Sequence, residues 1–329
     1  MSGPRTAIIW LLGVGLGAAF LWLALRAVDV QAALVIALQA DQFDAFGIVI
    51  CGLAFVGAKV VRWGWIVGHL RPLPPRRLFA PVLAGIAVNY AIPHGGELVR
   101  AWMVGEREGL SKAALLASIA VERLFDFCAI LLLGLVSLLA GRAVLATLGA
   151  PLWALLTFVL VILAATLPFA VWPERALSLS RTLLAPIPAR ARERVMWHLD
   201  QGSAGLSALQ RGATASRVLM LSIVQWVLMA ACAWLSLRAV GIEPGFLHAV
   251  AIVLLLVAGT TLPTAPAHVG TTQVAFLLAA APFGVGREEA IAASLVYNVF
   301  LPVPLIVVGV GVLLRAPGRL EPPAKPDRR

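Results

Sequence analysis

The stretch "NYAIPHGGELVRA", residues 89–101, interrupts an apolar segment with the Pro-His-Gly-Gly sequence at residues 93–96. Proline removes a helical hydrogen bond and glycine weakens a helix, so the pattern predicts a break in a helix. Glu97 and Arg100 follow directly, although charged residues are scarce in the surrounding sequence. A broken helix with charges inside an apolar segment is typical of a membrane protein with a buried polar site.

The composition of the whole chain indicates an integral membrane protein. Its 329 residues are 61% hydrophobic and 13% charged, whereas soluble domains are about 45–50% apolar and about 25% charged. The net charge of +10 comes from Arg and Lys clusters in loops, without a basic domain carrying aromatic platforms, which argues against nucleic-acid binding. The three cysteines lie in apolar segments with no metal-ligand or disulfide spacing, so we expect neither a metal site nor a cofactor.

The apolar segments predict an all-α membrane bundle of about six full spans and two broken helical hairpins, because about 20 apolar residues cross a bilayer. The predicted spans are 7–26, 45–67, 113–140, 151–172, 217–238 and 289–314. The predicted hairpins are 78–104 and 246–284, and the second is broken at "TLPTAPAHVGTTQ", residues 261–273. The pattern leaves open whether each hairpin is re-entrant or a pair of short crossings.

The distribution of Arg and Lys predicts the orientation. These residues cluster before the first span, around residues 62–77, in the loop 173–216 and after the last span. The positive-inside rule then places both termini in the cytoplasm. We expect one transmembrane domain over 1–316 and a disordered cytoplasmic tail over 317–329. The partly amphipathic segment 189–209 is either a helix at the membrane interface or a solvated loop.

The two interrupted regions can be aligned with each other. An offset of 176 residues places Ser118 on Ser294 and Glu122 on Asn298, and a three-residue gap places Gly96 on Gly270. The halves 45–140 and 217–314 would then form an inverted repeat. Many transporters use this arrangement, with broken helices meeting near the bilayer midplane.

The span 113–140 contains Glu122, Arg123 and Asp126. Each charge at the centre of a spanning helix costs about 2.5–3.5 kcal/mol, so these side chains must face protein or water. Glu122 and Asp126 share a helix face, so either a cation lies close to them or one carboxyl is protonated. The sequence offers Arg100 and Arg123 as the cations within the membrane, and Glu97 is expected to pair with Arg100. The group forms either a cavity for an anionic head group or a structural ion network.

Histidines also lie beside both breaks, where they would relay protons, bind phosphate or cap the backbone. For Asn89, Gln273, Tyr297 and Asn298, ordinary interhelical hydrogen bonds are the alternative to a place in the cavity. The candidate cavity residues are Asn89, His94, Glu97, Arg100, Glu122, Arg123, Asp126, His268, Gln273, Tyr297 and Asn298. The residues expected to shape the breaks are Pro93, Gly95, Gly96, Pro263, Pro266 and Gly270.

Two composite motifs resemble the membrane domain of lysylphosphatidylglycerol synthase, a family also described as flippase-like. The first joins N-Y-x-I-P-x-G-G-E-x-x-R to A-x-x-A-S-x-x-x-E-R-x-x-D, and the second joins P-x-x-x-G-x-x-Q-x-A-F to A-x-x-x-S-L-x-Y-N. The resemblance implies movement of aminoacylated phospholipids, other anionic lipids, lipid-linked sugars or hopanoid-type lipids. The chain departs from the pattern at Asn298, where many relatives carry a basic residue. Because it ends soon after the last span, we expect a stand-alone member without synthase activity.

We therefore predict a lipid translocase rather than an enzyme, working without ATP hydrolysis because no P-loop is present. It would act passively or with an ion gradient, and Glu122 or Asp126 would then carry the proton. The alternative is a membrane-embedded transferase or a non-catalytic partner in glycolipid or hopanoid synthesis. The expected partner is a membrane lipid, and a homodimer or a complex with an envelope-lipid enzyme is left open.

Overall fold

The computed structural model of the protein describes residues 18–26, 28–92, 95–140, 172–206, 212–260 and 268–315, and a few single positions besides. All regular structure in these ranges is helical, as the apolar segments predict. The helices are α1 (Ala18–Leu25), α2 (Val30–Leu38), α3 (Gln42–Val67), α4 (Pro75–Ala91), α5 (Gly95–Glu108), α6 (Lys112–Ala140), α7 (Pro173–Leu183), α8 (Ala189–Leu206), α9 (Gly212–Ala239), α10 (Phe246–Thr260), α11 (Thr271–Ala280), α12 (Arg287–Phe300) and α13 (Pro302–Arg315), with a 3₁₀ turn at Ala281–Phe283.

Three helical segments of the described chain are long and apolar enough to cross a membrane: Gln42–Val67, Thr214–Ala239 and Arg287–Arg315. A fourth span is present if α1 and α2, which meet at an angle of 92°, are taken together. Helix α6 has 29 residues, about 43 Å of helix, and carries the charges discussed below. The protein is thus a multi-pass helical membrane protein, and most of the expected spans 7–26 and 151–172 lies outside the described residues.

Helices α3 and α9 form an antiparallel pair along their full length. The backbone N–H of Asp41 donates to the carbonyl of Ala239 at 2.7 Å at one end. At the other end, Arg62 donates to the Ser222 hydroxyl at 2.6 Å. The end of α3 and the beginning of α9 therefore lie on the same side of the bundle, so residues far apart in sequence can build one site there.

The first interrupted region folds as the hairpin α4–α5. The helices approach so closely at Gly96 that an added Cβ would lie 1.9 Å from the carbonyl oxygen of Gly85. Only glycine fits this contact without moving the backbone. Pro93 and His94, the other residues of this break, lie outside the described residues.

The second interrupted region folds as the hairpin α10–α11. Its break contains two left-handed residues, His268 with φ 54° and Gly270 with φ 86°, and the latter conformation favours glycine. A Cβ on Gly259 would lie 2.3 Å from the Thr271 methyl carbon. Pro263 and Pro266 fall outside the described part of the chain. Both predicted breaks are thus flanked by closely packed helices.

The hairpins pack against helices from the opposite half of the chain. Gly309 of α13 sits against α4, where its added Cβ would lie 2.5 Å from the Leu83 carbonyl oxygen. Helix α10 is buried on all sides over residues 249–256 and packs near Leu131 and Leu133 of α6. This reciprocal packing places both hairpins inside the bundle. The three cysteines are free.

The segment that connects the two halves contains the helices α7 and α8, joined by a short turn. Helix α8 covers Ala189–Leu206 and packs against α6, so this part of the segment 189–209 is helical. Val195 and Trp197 are exposed on its surface. Whether α8 lies at the membrane interface stays a prediction, and the tail 317–329 lies outside the described residues.

Candidate functional site

Seven charged side chains from α3, α5 and α6 meet inside the bundle beside the first hairpin. They contain one more cation than carboxylates when all are ionised. The residues are Lys59, Arg62, Glu97, Arg100, Glu122, Arg123 and Asp126. We call this group the charged cluster.

Glu122 is the centre of the charged cluster and is fully buried. Its Oε1 contacts the Lys59 ammonium and lies 2.9 Å from the Arg62 guanidinium, while its Oε2 lies 2.9 Å from Arg100. A buried carboxylate is tolerated only when cations replace the water that it has lost. These contacts tie α3, α5 and α6 together at one residue.

Arg62 extends the charged cluster to α9. Its guanidinium donates to Asp126 Oδ1 and to the Ser222 hydroxyl, both at 2.6 Å. The indole N–H of Trp226 donates to the same Asp126 oxygen at 3.2 Å. Because Arg62 is fully buried and paired on several sides, this part of the charged cluster holds helices in place.

The structure corrects the sequence analysis on the cations. Arg100 and Arg123 do pair with the carboxylates of α6, as expected. Placing Arg62 among the loop charges is wrong, because Lys59 and Arg62 also lie inside the bundle and pair with these carboxylates. The available signal was their spacing of three residues on one face within the apolar span 45–67.

The expected pair between Glu97 and Arg100 is also wrong. Glu97 instead accepts from Arg123 at 2.7 Å, and Arg100 faces Glu122. Asn89 donates to Glu97 at 3.3 Å and accepts from the Gly96 backbone N–H at 2.7 Å. Asn89 therefore both caps α5 and positions the Glu97 carboxylate.

Arg123 differs from the other cations in exposure. Its side chain is 41% exposed, although it also lies 3.5 Å from Asp126 Oδ2. Exposed ion pairs contribute about 0–1 kcal/mol to stability, so its bond to Glu97 can open at small cost. Arg123 is thus the member of the charged cluster that can change partner most easily.

Arg100 keeps unused hydrogen-bond donors although it is almost fully buried. Its guanidinium lies 4.4 Å above the Trp63 ring. Its Nη1 lies 2.9 Å from Glu122 Oε2, while its Nη2 has no hydrogen bond to the described residues. Buried donors without acceptors are unfavourable, so this side chain is suited to receive an additional acceptor.

Arg100 and Arg123 line a small cavity between α3, α4, α5 and α6, together with Asn89, Glu97 and Lys59. Its volume is ≈ 10 Å³, about the space that one water needs. In this conformation the cavity is therefore too small for a larger ligand.

The candidates of the second half do not line this cavity. Gln273 accepts from the Gly270 backbone N–H at 2.7 Å and caps α11, and the Tyr297 ring packs 5.5 Å from Phe276. Asn298 is half-buried on α12. The His268 ring lies 6.0 Å from the Tyr90 ring, which brings the two breaks into contact. The structure thus assembles Asn89, Glu97, Arg100, Glu122, Arg123 and Asp126 at one site and places the other described candidates around the second break.

Comparison with known proteins agrees with the motifs. The family model described as the lysylphosphatidylglycerol synthase TM region matches residues 10–309, which confirms the resemblance over most of the chain. No protein with curated function and no solved structure matches the chain.

Proposed function

The chain belongs to the lysylphosphatidylglycerol synthase transmembrane family, and from that premise we propose that it moves a lipid with an anionic head group across the bacterial inner membrane. The family and the apolar helices make it a multi-pass membrane protein related to lipids. The translocase activity, the head-group chemistry and the cytoplasmic position of both termini are parts of the proposal.

The observation that carries the proposal is the pair Arg100 and Arg123 on the wall of the cavity. Arg100 is buried and its Nη2 has no hydrogen-bond partner among the described residues, and Arg123 is the most exposed cation of the charged cluster. A phosphate has acceptor oxygens that fit the planar fork of arginine donors. It would accept from Arg100 and take Arg123 away from Glu97.

The charge of the cluster supports an anionic ligand. With one cation in excess, one singly charged phosphodiester would neutralise the group. The closed cavity is too small for such a head group. In the proposed cycle the hairpin α4–α5 moves, the head group enters between Arg100 and Arg123, and the acyl chains stay in the bilayer.

An inverted repeat would give this cycle access from both sides. Two observations support the repeat: Ser118 and Ser294 each donate to the carbonyl three residues earlier at 2.6 Å, and α3 and α9 are antiparallel. We therefore propose in addition that the protein alternates between a conformation open to the cytoplasm and one open to the outside, with the two halves exchanging roles.

Leaflet exchange in liposomes tests the proposal. The purified chain is reconstituted with fluorescent phosphatidylglycerol or phosphatidylcholine, and exchange is measured by quenching of the outer leaflet. We expect faster exchange of the anionic lipid than in empty liposomes. Arg123→Gln should slow exchange about tenfold or more, because it removes charge-assisted hydrogen bonds to the phosphate.

Arg238→Gln is the matched control. Arg238 is 44% exposed, pairs with Asp44 at 3.5 Å and lies over the Trp234 ring, but it belongs to the opposite end of α9. It should leave exchange unchanged. The proposal fails if neither these lipids nor a native lipid extract exchanges faster than in empty liposomes, or if Arg123→Gln exchanges at the wild-type rate.

Lipid analysis of cells that lack the protein separates transport from chemistry. Under our proposal the lipid species are unchanged, and one of them is displaced between leaflets. A missing modified lipid would instead favour the transferase alternative.

A further inference from the structure

A second cavity lies at the end of α3, where the chain turns toward α4. It is open and measures ≈ 630 Å³, within the range of small-ligand sites. Trp65 and His69 line it from α3 and the turn, and Thr214 and Arg217 line it from the first turns of α9. None of the described residues on its wall is acidic. Its polar lining groups are therefore hydrogen-bonding side chains and one fixed positive charge, and the rest of the wall consists of glycine, proline and leucine residues.

The wall contributed by the turn is held rigidly. Leu73 is buried in the apolar core, and the backbone N–H groups of Leu70 and Arg71 both donate to the Val67 carbonyl, at 2.8 and 3.1 Å. The Arg71 guanidinium donates to the Glu108 carbonyl at 2.9 Å, which fastens the turn to α5. Pro72 further restricts the backbone. The cavity is thus preformed, which lowers the entropic cost of binding a ligand.

The position of this cavity fits the head-group region of a bilayer. Trp65 is 38% exposed near the end of an apolar span, and tryptophan at such a place typically lies among lipid head groups. Arg217 precedes Ser222, the partner of Arg62, by five residues of α9, which is about 7.5 Å of helix. The cavity and the charged cluster are therefore close along the same antiparallel helix pair, but they share no lining residue.

We propose that this cavity binds the phosphate of an anionic phospholipid at the membrane surface. The Arg217 guanidinium donates to the phosphate, the His69 ring and the Thr214 hydroxyl supply further contacts, and Trp65 packs against the glycerol region. The inference goes beyond the proposed function, because binding here requires no movement of lipid between leaflets. A free phosphate-type anion offers the same chemistry, so the experiment includes it.

Photo-labelling of the full chain tests this site. The protein is placed in phosphatidylcholine nanodiscs that contain phosphatidylglycerol with a photo-activatable head group, and labelled peptides are mapped by mass spectrometry. We expect label in residues 64–74 and 212–220. The double variant His69→Gln/Arg217→Gln should lose this label about tenfold or more, since charge-assisted hydrogen bonds disappear.

Three controls make the result specific. Arg217→Lys keeps the charge and should keep most of the label. Arg76→Gln removes an exposed charge that does not line the cavity and should change nothing. A diacylglycerol probe, which lacks the phosphate, should leave these residues unlabelled.

Competition with inorganic phosphate distinguishes the two sources of the anion. Displacement of the label at millimolar phosphate identifies a soluble anion as a ligand, and retention identifies the lipid. Equal labelling by diacylglycerol, or full labelling of the double variant, would overturn the proposal. Intact labelling together with absent leaflet exchange would refute the proposed translocation and leave the lipid-binding proposal for this cavity standing.

Discussion

The hairpin α4–α5 faces the charged cluster, whereas the hairpin α10–α11 is embedded in apolar side chains. Both consist of two short helices around a break that contains glycine. The first break is capped by Asn89, which also touches Glu97, and the second is capped by Gln273, which accepts from the backbone N–H at the start of its own helix. The same arrangement, a helix break with a capping side chain, therefore lies beside a polar site in the first half and among apolar side chains in the second.

The difference follows from what α6 and α12 present to the hairpins. Glu122 of α6 requires cations from two other helices, while Asn298 of α12, the residue that the sequence alignment of the two halves places on Glu122, carries no charge. The second half can thus pack its hairpin without buried ions. We infer that the head-group contacts of the proposed translocation site reside in the first half, and that the second hairpin supports the position of that site. The predictions below test this division, beginning with the largest expected effect.

Glu122→Gln should destabilise the protein most, by about 3–5 kcal/mol, because it leaves Lys59, Arg62 and Arg100 around an uncharged side chain. Unfolding by SDS in mixed micelles measures the effect. Glu106→Gln, which breaks the exposed pair with Lys112, is the matched control and should cost less than about 1 kcal/mol. Equal costs would mean that Glu122 contributes no more to the stability of the protein than one carboxylate of a surface ion pair does.

Gly96→Ala should separate the two helices of the first hairpin, because its Cβ would meet backbone at 1.9 Å. We expect a cost of about 1–3 kcal/mol or more and increased protease sensitivity of the hairpin. Gly259→Ala in the second hairpin meets only the Thr271 methyl group, at 2.3 Å. Thr271→Ser should therefore rescue Gly259→Ala, and Gly85→Ala should not rescue Gly96→Ala. The reverse pattern of rescue would show that the second contact is the more rigid one.

The two capping side chains should differ in function more than in stability. Asn89→Ala and Gln273→Ala should each cost about 0.5–2 kcal/mol, since each removes an acceptor from a helix start. Only Asn89→Ala should also slow leaflet exchange, because Asn89 positions Glu97. Thermal unfolding and exchange are measured on the same preparations. A loss of exchange with Gln273→Ala alone would reverse our assignment of the halves.

Arg123→Gln should have the smallest effect on stability, less than about 1 kcal/mol, because its ion pairs are partly exposed. Arg238→Gln should behave in the same way at the other end of the bundle. Circular-dichroism melting of both variants measures this. A large loss of stability with Arg123→Gln would place it among the structural members of the charged cluster.

Much of the candidate site could be predicted from local spacing. The break at residues 93–96 follows from proline and glycine, and the shared face of Glu122 and Asp126 follows from helical periodicity. The need for nearby cations follows from the cost of charge in an apolar medium. The identity of these cations could not be predicted from spacing, because Arg62 also fits the pattern of loop charges that set the orientation in the membrane.

The sequence by itself determined that this is a helical membrane protein of a lipid-related family, with two helix breaks and carboxylates that had to face the interior. These features depend on composition and on spacing within single helices. Only the tertiary structure decided that α3 supplies Lys59 and Arg62, that Glu97 holds Arg123, and that the cavity is closed. Such partners depend on how helices distant in sequence cross and rotate against one another, which the period of any one helix does not encode.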